Sequence, residues 1–345
     1  MWSTRRHRSL TVAARQHARQ HARHVRRRGS ALLAVLWLSA ALAAIAFSLS
    51  TTVRGETDRT STAIDGLRCY YVASGAVERA TLELLWGATD ANQRRIPLGA
   101  PFVDYVFPSG NAHVEIIPET ARLDVNFVPV QDLYRLVQAL GVEPERAQEI
   151  AAAIDDWRRP VVEGSRFDPY YLSLTPSFRA RHASIEEIEE LLLVKGVTPD
   201  IFHGTYVPSG GEPGRARLVP RGGLADCLSV FGAKDRVDAN WAPPAVLAAV
   251  GLSPYAINAL LEQRRLAPLN AERLARFVEA TGGGQARLRV EPGTFFTIRA
   301  TARLRLAGGQ LSDLRRTVAA QVKFMAPGYQ PPFHILRWYD TAWSN

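Results

Sequence analysis

The sequence predicts an α+β chain: a long N-terminal helix packed on a small antiparallel sheet, the two interrupted by a large all-α segment. Three observations carry that expectation. Residues 30–53 hold no charged side chain, and the chain then runs on without a proline until Pro97. Two stretches of alternating apolar and polar residues, 113–127 and 295–338, flank a central region with helical spacing. That region repeats the pattern glycine–hydrophobe–x–proline at Gly141, Gly196 and Gly251, 55 residues apart both times.

The N-terminal 29 residues hold nine arginines (Arg5, Arg6, Arg8, Arg15, Arg19, Arg23, Arg26, Arg27, Arg28), no lysine and no acid. The whole chain counts 42 Lys+Arg against 33 Asp+Glu, so the remainder holds 33 of each and the net charge of +9 belongs to this leader. Gly29 closes it and an apolar helix begins at Ser30. Its 24 uncharged residues make a helix of ~36 Å at ~1.5 Å per residue, enough for a hydrocarbon core of ~30 Å. Arginines just before a membrane helix keep that side in the cytoplasm. The expected topology is therefore a single-pass inner-membrane anchor, N-terminus cytoplasmic, with the bulk in the periplasm. Two other readings stand beside it. The basic leader could bind nucleic acid, or Ala44-Ile45-Ala46 could be a signal-peptidase site releasing a soluble chain from Phe47.

From Thr51 to Trp86, Ile64, Leu67, Tyr71, Ala76, Val77, Leu82 and Leu85 recur near three-to-four spacing, which predicts a continuing half-buried helix. A Gly-, Pro- and Asn-rich loop over 87–110 follows. Alternation at His113–Ile117 and Leu123–Phe127, parted by Pro118-Glu119-Thr120, predicts two strands of a hairpin or meander. The closing sheet is read from Phe295–Leu306, Val318–Phe324 and His334–Trp338, with a turn at Gly308-Gly309 and Arg299, Arg303 and Arg305 on the solvent face.

In the central region LYRLVQAL, IEELLLVK and PAVLAAV each precede one repeat of the tetrapeptide. Glycine closes the first helix, the hydrophobe packs in the corner and proline opens the next helix. Such corners are of the helix-hairpin-helix or SAM-like kind. A second echo pairs Leu123-Asp124-Val125-Asn126-Phe127-Val128-Pro129 with Val237-Asp238-Ala239-Asn240-Trp241-Ala242-Pro243. The stretch 207–223 reads as an exposed connector. The domain plan is thus 1–29 cleaved leader, 30–53 membrane helix, 54–125 helix and first strands, 126–284 helical insertion and 285–345 closing sheet.

Taken in order, RRRGSALLAVLW, LRCYYVASGAVERA, AAAIDDW, LSVFG and VDANWAPPAVLAAVGL resemble the K-class minor pseudopilins of type II secretion (general secretion pathway protein K). The resemblance implies a type IV pilin-like fold seated at the tip of a short periplasmic filament. It implies cleavage after Gly29 by a prepilin peptidase, methylation of Ser30, and partnership with other minor pseudopilins, the major pseudopilin and an inner-membrane assembly platform. Counting from Ser30, the fifth residue is Ala34, where most pilins carry a glutamate. A first subunit has no neighbouring amine above it to neutralise, and a bare carboxylate in hydrocarbon costs several kcal/mol.

The resemblance also implies calcium in the helical region, but the residues depart from it. Asp155, Asp156, Glu163 and Asp168 are the candidate ligands, and Arg158, Arg159 and Arg166 crowd them. Calcium takes six to eight oxygens, so a salt-bridged loop with Arg158 or Arg166 in place of the ion is expected, and no other cofactor. Cys69 and Cys227 are the two cysteines: paired in an oxidising periplasm, or two buried thiols. DNA binding is disfavoured by Glu186, Glu187, Glu189 and Glu190 at the middle corner. An enzyme is disfavoured too, because His113, His182, His203 and His334 show no metal spacing and read as surface or loop residues, and no catalytic motif occurs.

Overall fold

The computed structural model describes residues 6–342 apart from 90–91, 93–94, 98–99, 162–163, 210–216, 282–286, 292 and 327; for 6–30, 88–89 and 209 it describes the backbone alone. The chain divides into two compact units, Met1–Asp65 and Gly66–Asn345. Helix α1 (Arg6–Thr89) supplies most of the first unit. Every residue from Ala31 to Ile64 is exposed, although Leu, Ile, Val, Phe, Trp and Ala make up most of 31–53. The few hydroxyls there turn back onto the helix: Ser39 donates to the Leu36 carbonyl at 2.9 Å, and Thr51 and Thr52 to that of Ser48 at 2.8 and 2.9 Å. Such back-bonding satisfies polar groups internally, as an apolar solvent demands.

In the second unit, α1 from Gly66 onward buries Cys69, Ala73, Ala76, Val77 and Ala80 at three-to-four spacing. Small side chains on this seam let the helix lie close to a sheet. That sheet uses β1 (Phe102–Phe107) and β2 (Gly110–Pro118), and is completed after a long helical insertion. The insertion opens with β3 (Leu123–Asp124), α2 (Val130–Ala139), α3 (Pro144–Trp157) and α4 (Asp168–Leu172). Next come a 3-10 segment at Ile188–Leu193, α5 (Pro199–His203), β4 (Thr205–Ser209), β5 (Arg217–Arg221), α6 (Leu224–Cys227) and β6 (Leu228–Ser229). It ends with β7 (Val237–Asp238), α7 (Pro244–Ala249), α8 (Pro254–Leu266), α9 (Ala271–Ala280) and β8 (Leu288–Arg289). Strands β9 (Phe295–Arg305), β10 (Leu311–Phe324) and β11 (Phe333–Tyr339) then close the sheet in the order β1-β2-β9-β10-β11, antiparallel throughout.

Burial along β9 alternates as the sequence predicts. Ile298, Ala300, Ala302 and Leu304 are buried toward α1, while Arg299 and Arg303 take the other face. There Arg299 pairs across the strand with Glu115 at 2.7 Å. The Gly308-Gly309 turn forms, with Gly309 at φ 80° and its N–H bonded to Leu306 at 2.8 Å.

The structure corrects four local expectations. The segment 123–127 is not a hairpin partner of β2; β3 pairs in parallel with β6, and Leu123 and Val125 belong to the helical core. Strand β1 lies in what reads as a loop, because its pairing with β2, not its own alternation, makes it a strand. The connector contains a hairpin, β4 with β5. Finally, IEELLLVK folds as 3-10 and not α: Glu187 and Glu190 form a capping box at its start that tightens the turn.

Two apolar cores result within this unit. One joins α1 to the five-stranded sheet; the other fills the helical insertion. They are tied by Phe231 stacked on Phe295 at 5.1 Å, by Arg337 donating to the Glu186 carbonyl at 2.7 Å, and by Thr297 on the buried Glu119.

Candidate functional site

The processing residues predicted from sequence, Gly29 and Ser30, lie within α1, where only the backbone is described. Ala34 sits in the fully exposed apolar stretch. That stretch is the one span among the described residues long and apolar enough to cross a membrane.

Within the second unit α1 has two faces. The alanine-rich seam meets the sheet, and Leu67, Tyr71, Leu82 and Trp86 are exposed on the other side. Offsets of four, eleven and four residues are close to whole turns, so these four share one stripe. Glu83, on the inner face, anchors the edge strand: Tyr105 donates its hydroxyl to Glu83 at 2.8 Å, and Arg79 holds the other oxygen at 2.9 Å. Burial, then the Glu83 hydrogen bond, pushes the Tyr105 hydroxyl well above its ordinary range, so it stays a donor.

The helical insertion contains one module twice. In each copy an aspartate accepts the N–H of the asparagine two residues on, Asp124 from Asn126 at 2.9 Å and Asp238 from Asn240 at 2.8 Å. Each asparagine then makes a two-way bond to a distant backbone, Asn126 with Ile185 and Asn240 with Leu269. The following helix ends on a left-handed glycine, Gly141 at φ 84° or Gly251 at φ 98°. In both, the next N–H reaches back five residues, Val142 to Val137 at 3.3 Å and Leu252 to Leu247 at 3.1 Å, the Schellman pattern. An arginine at the C-terminal end of the second helix of each module, the cap residue Arg158 or Arg264 in the last turn, grips the turn. Arg158 donates to the carbonyls of Val125 and Val128 at 2.6 and 2.7 Å, and Arg264 to those of Ala239 and Ala242 at 3.5 and 2.9 Å. The arginines are 33 and 25 residues past the first carbonyl they hold, so spacing could not reveal the pair. The Gly196 corner shares the left-handed glycine, at φ 86°, a buried Val197 and a proline, Pro199, that opens α5.

The three described candidate calcium ligands, Asp155, Asp156 and Asp168, are each engaged by other side chains. Asp155 is taken by Arg158 at 2.7 Å and Arg159 at 2.8 Å. Asp156 accepts from the Ser165 hydroxyl at 2.7 Å, and Asp168 accepts the Ser165 N–H at 3.1 Å. His182, which the sequence places among surface or loop histidines, is a loop residue partly buried between these two acids, its Nε2 2.9 Å from Asp168 Oδ1. Burial works against its charge, but Asp168 and Asp156 outweigh it and raise its pKa; His182 in turn lowers that of Asp168. Arg166 lies over the Phe167 ring at 4.7 Å. Glu163 falls outside the described residues. Among the described residues no group of three His, Cys, Asp or Glu side chains is arranged to hold a metal. With one carboxylate held by two arginines and the other two bridged by an imidazole, this donor set does not fit a calcium ion.

Cys69 and Cys227 are both free and buried, so the pairing offered from sequence is not made. They sit in different cores, Cys69 in the helix–sheet seam and Cys227 in the helical insertion. Burial raises both thiols, Cys227 to about 12.

Comparison with known proteins follows this geometry. Residues 120–204 match a family model described as "Type II secretion system (T2SS), protein K", its first domain. Type II secretion system protein K of Klebsiella pneumoniae is 26% identical over 197 residues, covering 51% of this chain and 60% of the relative. The protein of the same name from Pectobacterium carotovorum subsp. carotovorum is 25% identical over 202 residues, with the same two coverages. The matched stretch thus spans 60% of the length of either curated relative. Among solved structures, a chain of the GspK-GspI-GspJ complex of the enterotoxigenic Escherichia coli type 2 secretion system aligns with TM-score 0.52 at 17% identity. That alignment covers 83% of this chain and all of the other. It shows a shared fold: a long N-terminal helix, an antiparallel sheet and a helical insertion between the strands. Residues 120–204 are thus similar to the first domain of type II secretion protein K, the family that the sequence resembles.

Proposed function

We propose that this protein is a minor pseudopilin placed at the tip of a type II secretion pseudopilus, where it helps initiate and cap the filament. The observation that carries the reading is the coexistence, in one chain, of a fully exposed apolar helix and a protein K domain set between strands of a helix-packed sheet. A freely soluble enzyme or binding protein has no use for such a helix; a minor pilin-like or simple membrane-anchored periplasmic binding protein is the alternative. In this reading a prepilin peptidase cleaves after Gly29 on the cytoplasmic face, Ser30 becomes the methylated first residue, and the head faces the periplasm. The exposed stripe of Leu67, Tyr71, Leu82 and Trp86 receives helices of other minor pseudopilins and of the major pseudopilin, with an inner-membrane platform feeding them. The neighbour's title places its protein K with two further subunits, which supports partners of that kind. Ala34 in place of a glutamate suits a subunit with nothing above it. The helical insertion, its corners of the SAM-like or helix-hairpin-helix kind, blocks addition above. No catalytic role is assigned.

The test is processing in a cell that carries the secretion system. The mass of the membrane-extracted protein should correspond to a chain starting at Ser30, and Gly29→Val should leave the leader attached. A product starting at Phe47, or normal processing of the valine variant, overturns the reading.

A further inference from the structure

The chain leaves the five-stranded sheet at Pro118, the last residue of β2, and enters the helical insertion at β3. Between them lies a single 3-10 turn, Glu119–Ala121, set against both β9 and β7. Glu119 is 1% exposed, a carboxylate at the join of two apolar cores that do not merge. Its Oε1 accepts the hydroxyl of Thr297, on β9, and faces Arg122 Nη1 at 3.5 Å. The Arg122 N–H donates to the Glu119 carbonyl at 3.0 Å, and the Arg122 carbonyl accepts from Ala233 of the insertion at 2.7 Å. One chain of hydrogen bonds therefore runs from the sheet through Glu119 and Arg122 into the insertion. The pair is poorly satisfied. Glu119 Oε2, Arg122 Nε and the Thr120 hydroxyl are all buried without a partner, and each such atom costs free energy. A buried ion pair with these gaps is often no more stable than apolar side chains of the same volume. Bodies joined through a small polar contact move relative to each other unless something fixes them. The other ties lie to the side: the Phe231–Phe295 stack, and Arg337, whose partner Glu187 is 61% exposed.

We infer that Glu119 is a positioning residue that fixes the angle at which the helical insertion stands on the sheet, contributing geometry and not stability. Thr297 holds the carboxylate on β9, and Arg122 carries its position to Ala233. The inference stands whether or not the chain caps a filament, because it concerns only how two cores of one unit are joined.

The test uses the full chain in detergent, with spin labels on Gln310→Cys in the β9–β10 turn and Ala267→Cys after α8, both exposed positions. The native thiols are buried and stay unlabelled in the folded chain. Pulsed electron–electron resonance reads the distance distribution between the labels in about 1 M salt, where a screening length of ~3 Å silences the Arg337 tie. This doubly labelled parent should give one narrow peak. Thr297→Val, which keeps the side-chain volume and removes the donor, should broaden it several-fold with both native thiols still protected. Replacing the pair together, Glu119→Met with Arg122→Met, should broaden it as much and leave the thermal midpoint equal or higher. A peak that stays narrow in Thr297→Val overturns the inference. So does a parent distribution already broad, or a paired variant that melts well below the parent.

Discussion

Arg158 and Arg264 show what a buried charge does when its partners are backbone carbonyls. Arg158 is almost fully buried, yet its guanidinium meets two carbonyls and Asp155, so its desolvation is offset on every side. Arg158→Ala would orphan both carbonyls and leave Asp155 to Arg159; the expected loss is about 3 kcal/mol, measured by urea unfolding. Arg264→Ala, with one of its two carbonyl bonds stretched to 3.5 Å, should lose less. Asp238 gives a pH signature. Burial raises its pKa from 3.8 to about 6, against the Asn240 N–H, Arg289 and Arg264. The folded chain keeps that proton up to about pH 6 and the unfolded chain only to about pH 4, so the group's contribution is full below pH 3.8 and lost as pH rises through 6. Asp238→Asn keeps an acceptor for the Asn240 N–H and removes the proton. The stability of this variant relative to wild type should therefore climb by roughly 2–3 kcal/mol between pH 3.5 and 7; equal differences at the two pH values would refute the assignment.

At the scale of elements, the two Schellman corners differ in what surrounds their glycines. A Cβ on Gly141 would lie 1.7 Å from Nη1 of Arg221, whose guanidinium donates to the Leu140 carbonyl at 2.8 Å. A Cβ on Gly251 would meet nothing within 4 Å. Both positions need a left-handed backbone, so alanine costs about 1–2 kcal/mol of strain at either. Gly141→Ala should cost more than Gly251→Ala, because it also displaces Arg221 and its capping bond; thermal midpoints of the two variants decide it. The corners themselves were readable, since glycine, hydrophobe and proline encode a left-handed stop, a packed turn and a helix start. The 3-10 geometry of Ile188–Leu193 was not, because Ile188, Leu191 and Leu192 are spaced as in any amphipathic helix.

At the scale of the molecule, the second unit owns two separate cores with one cysteine in each. A thiol reagent at neutral pH should label neither in the folded chain, because burial disfavours both thiolates. In denaturant both should react, and their number should be two with or without prior reduction. One core opening before the other would appear as labelling of a single cysteine at intermediate denaturant, read by peptide mass.

The sequence alone determined the apolar helix, the arginine asymmetry around it, the alternation of β9 and the duplicated Asp-x-Asn turns. Each is a local pattern, written in neighbouring residues by the helix period, the strand period or turn chemistry. Tertiary structure alone decided that β1 is a strand, that Leu123 belongs to the helical core, that the two cysteines stay apart, and that His182, 14 residues past Asp168, stands between two acids. Those outcomes depend on which distant segments meet. Pairing across a sheet and charge compensation across a loop follow from where chain closure brings groups together, and one-dimensional spacing does not record that.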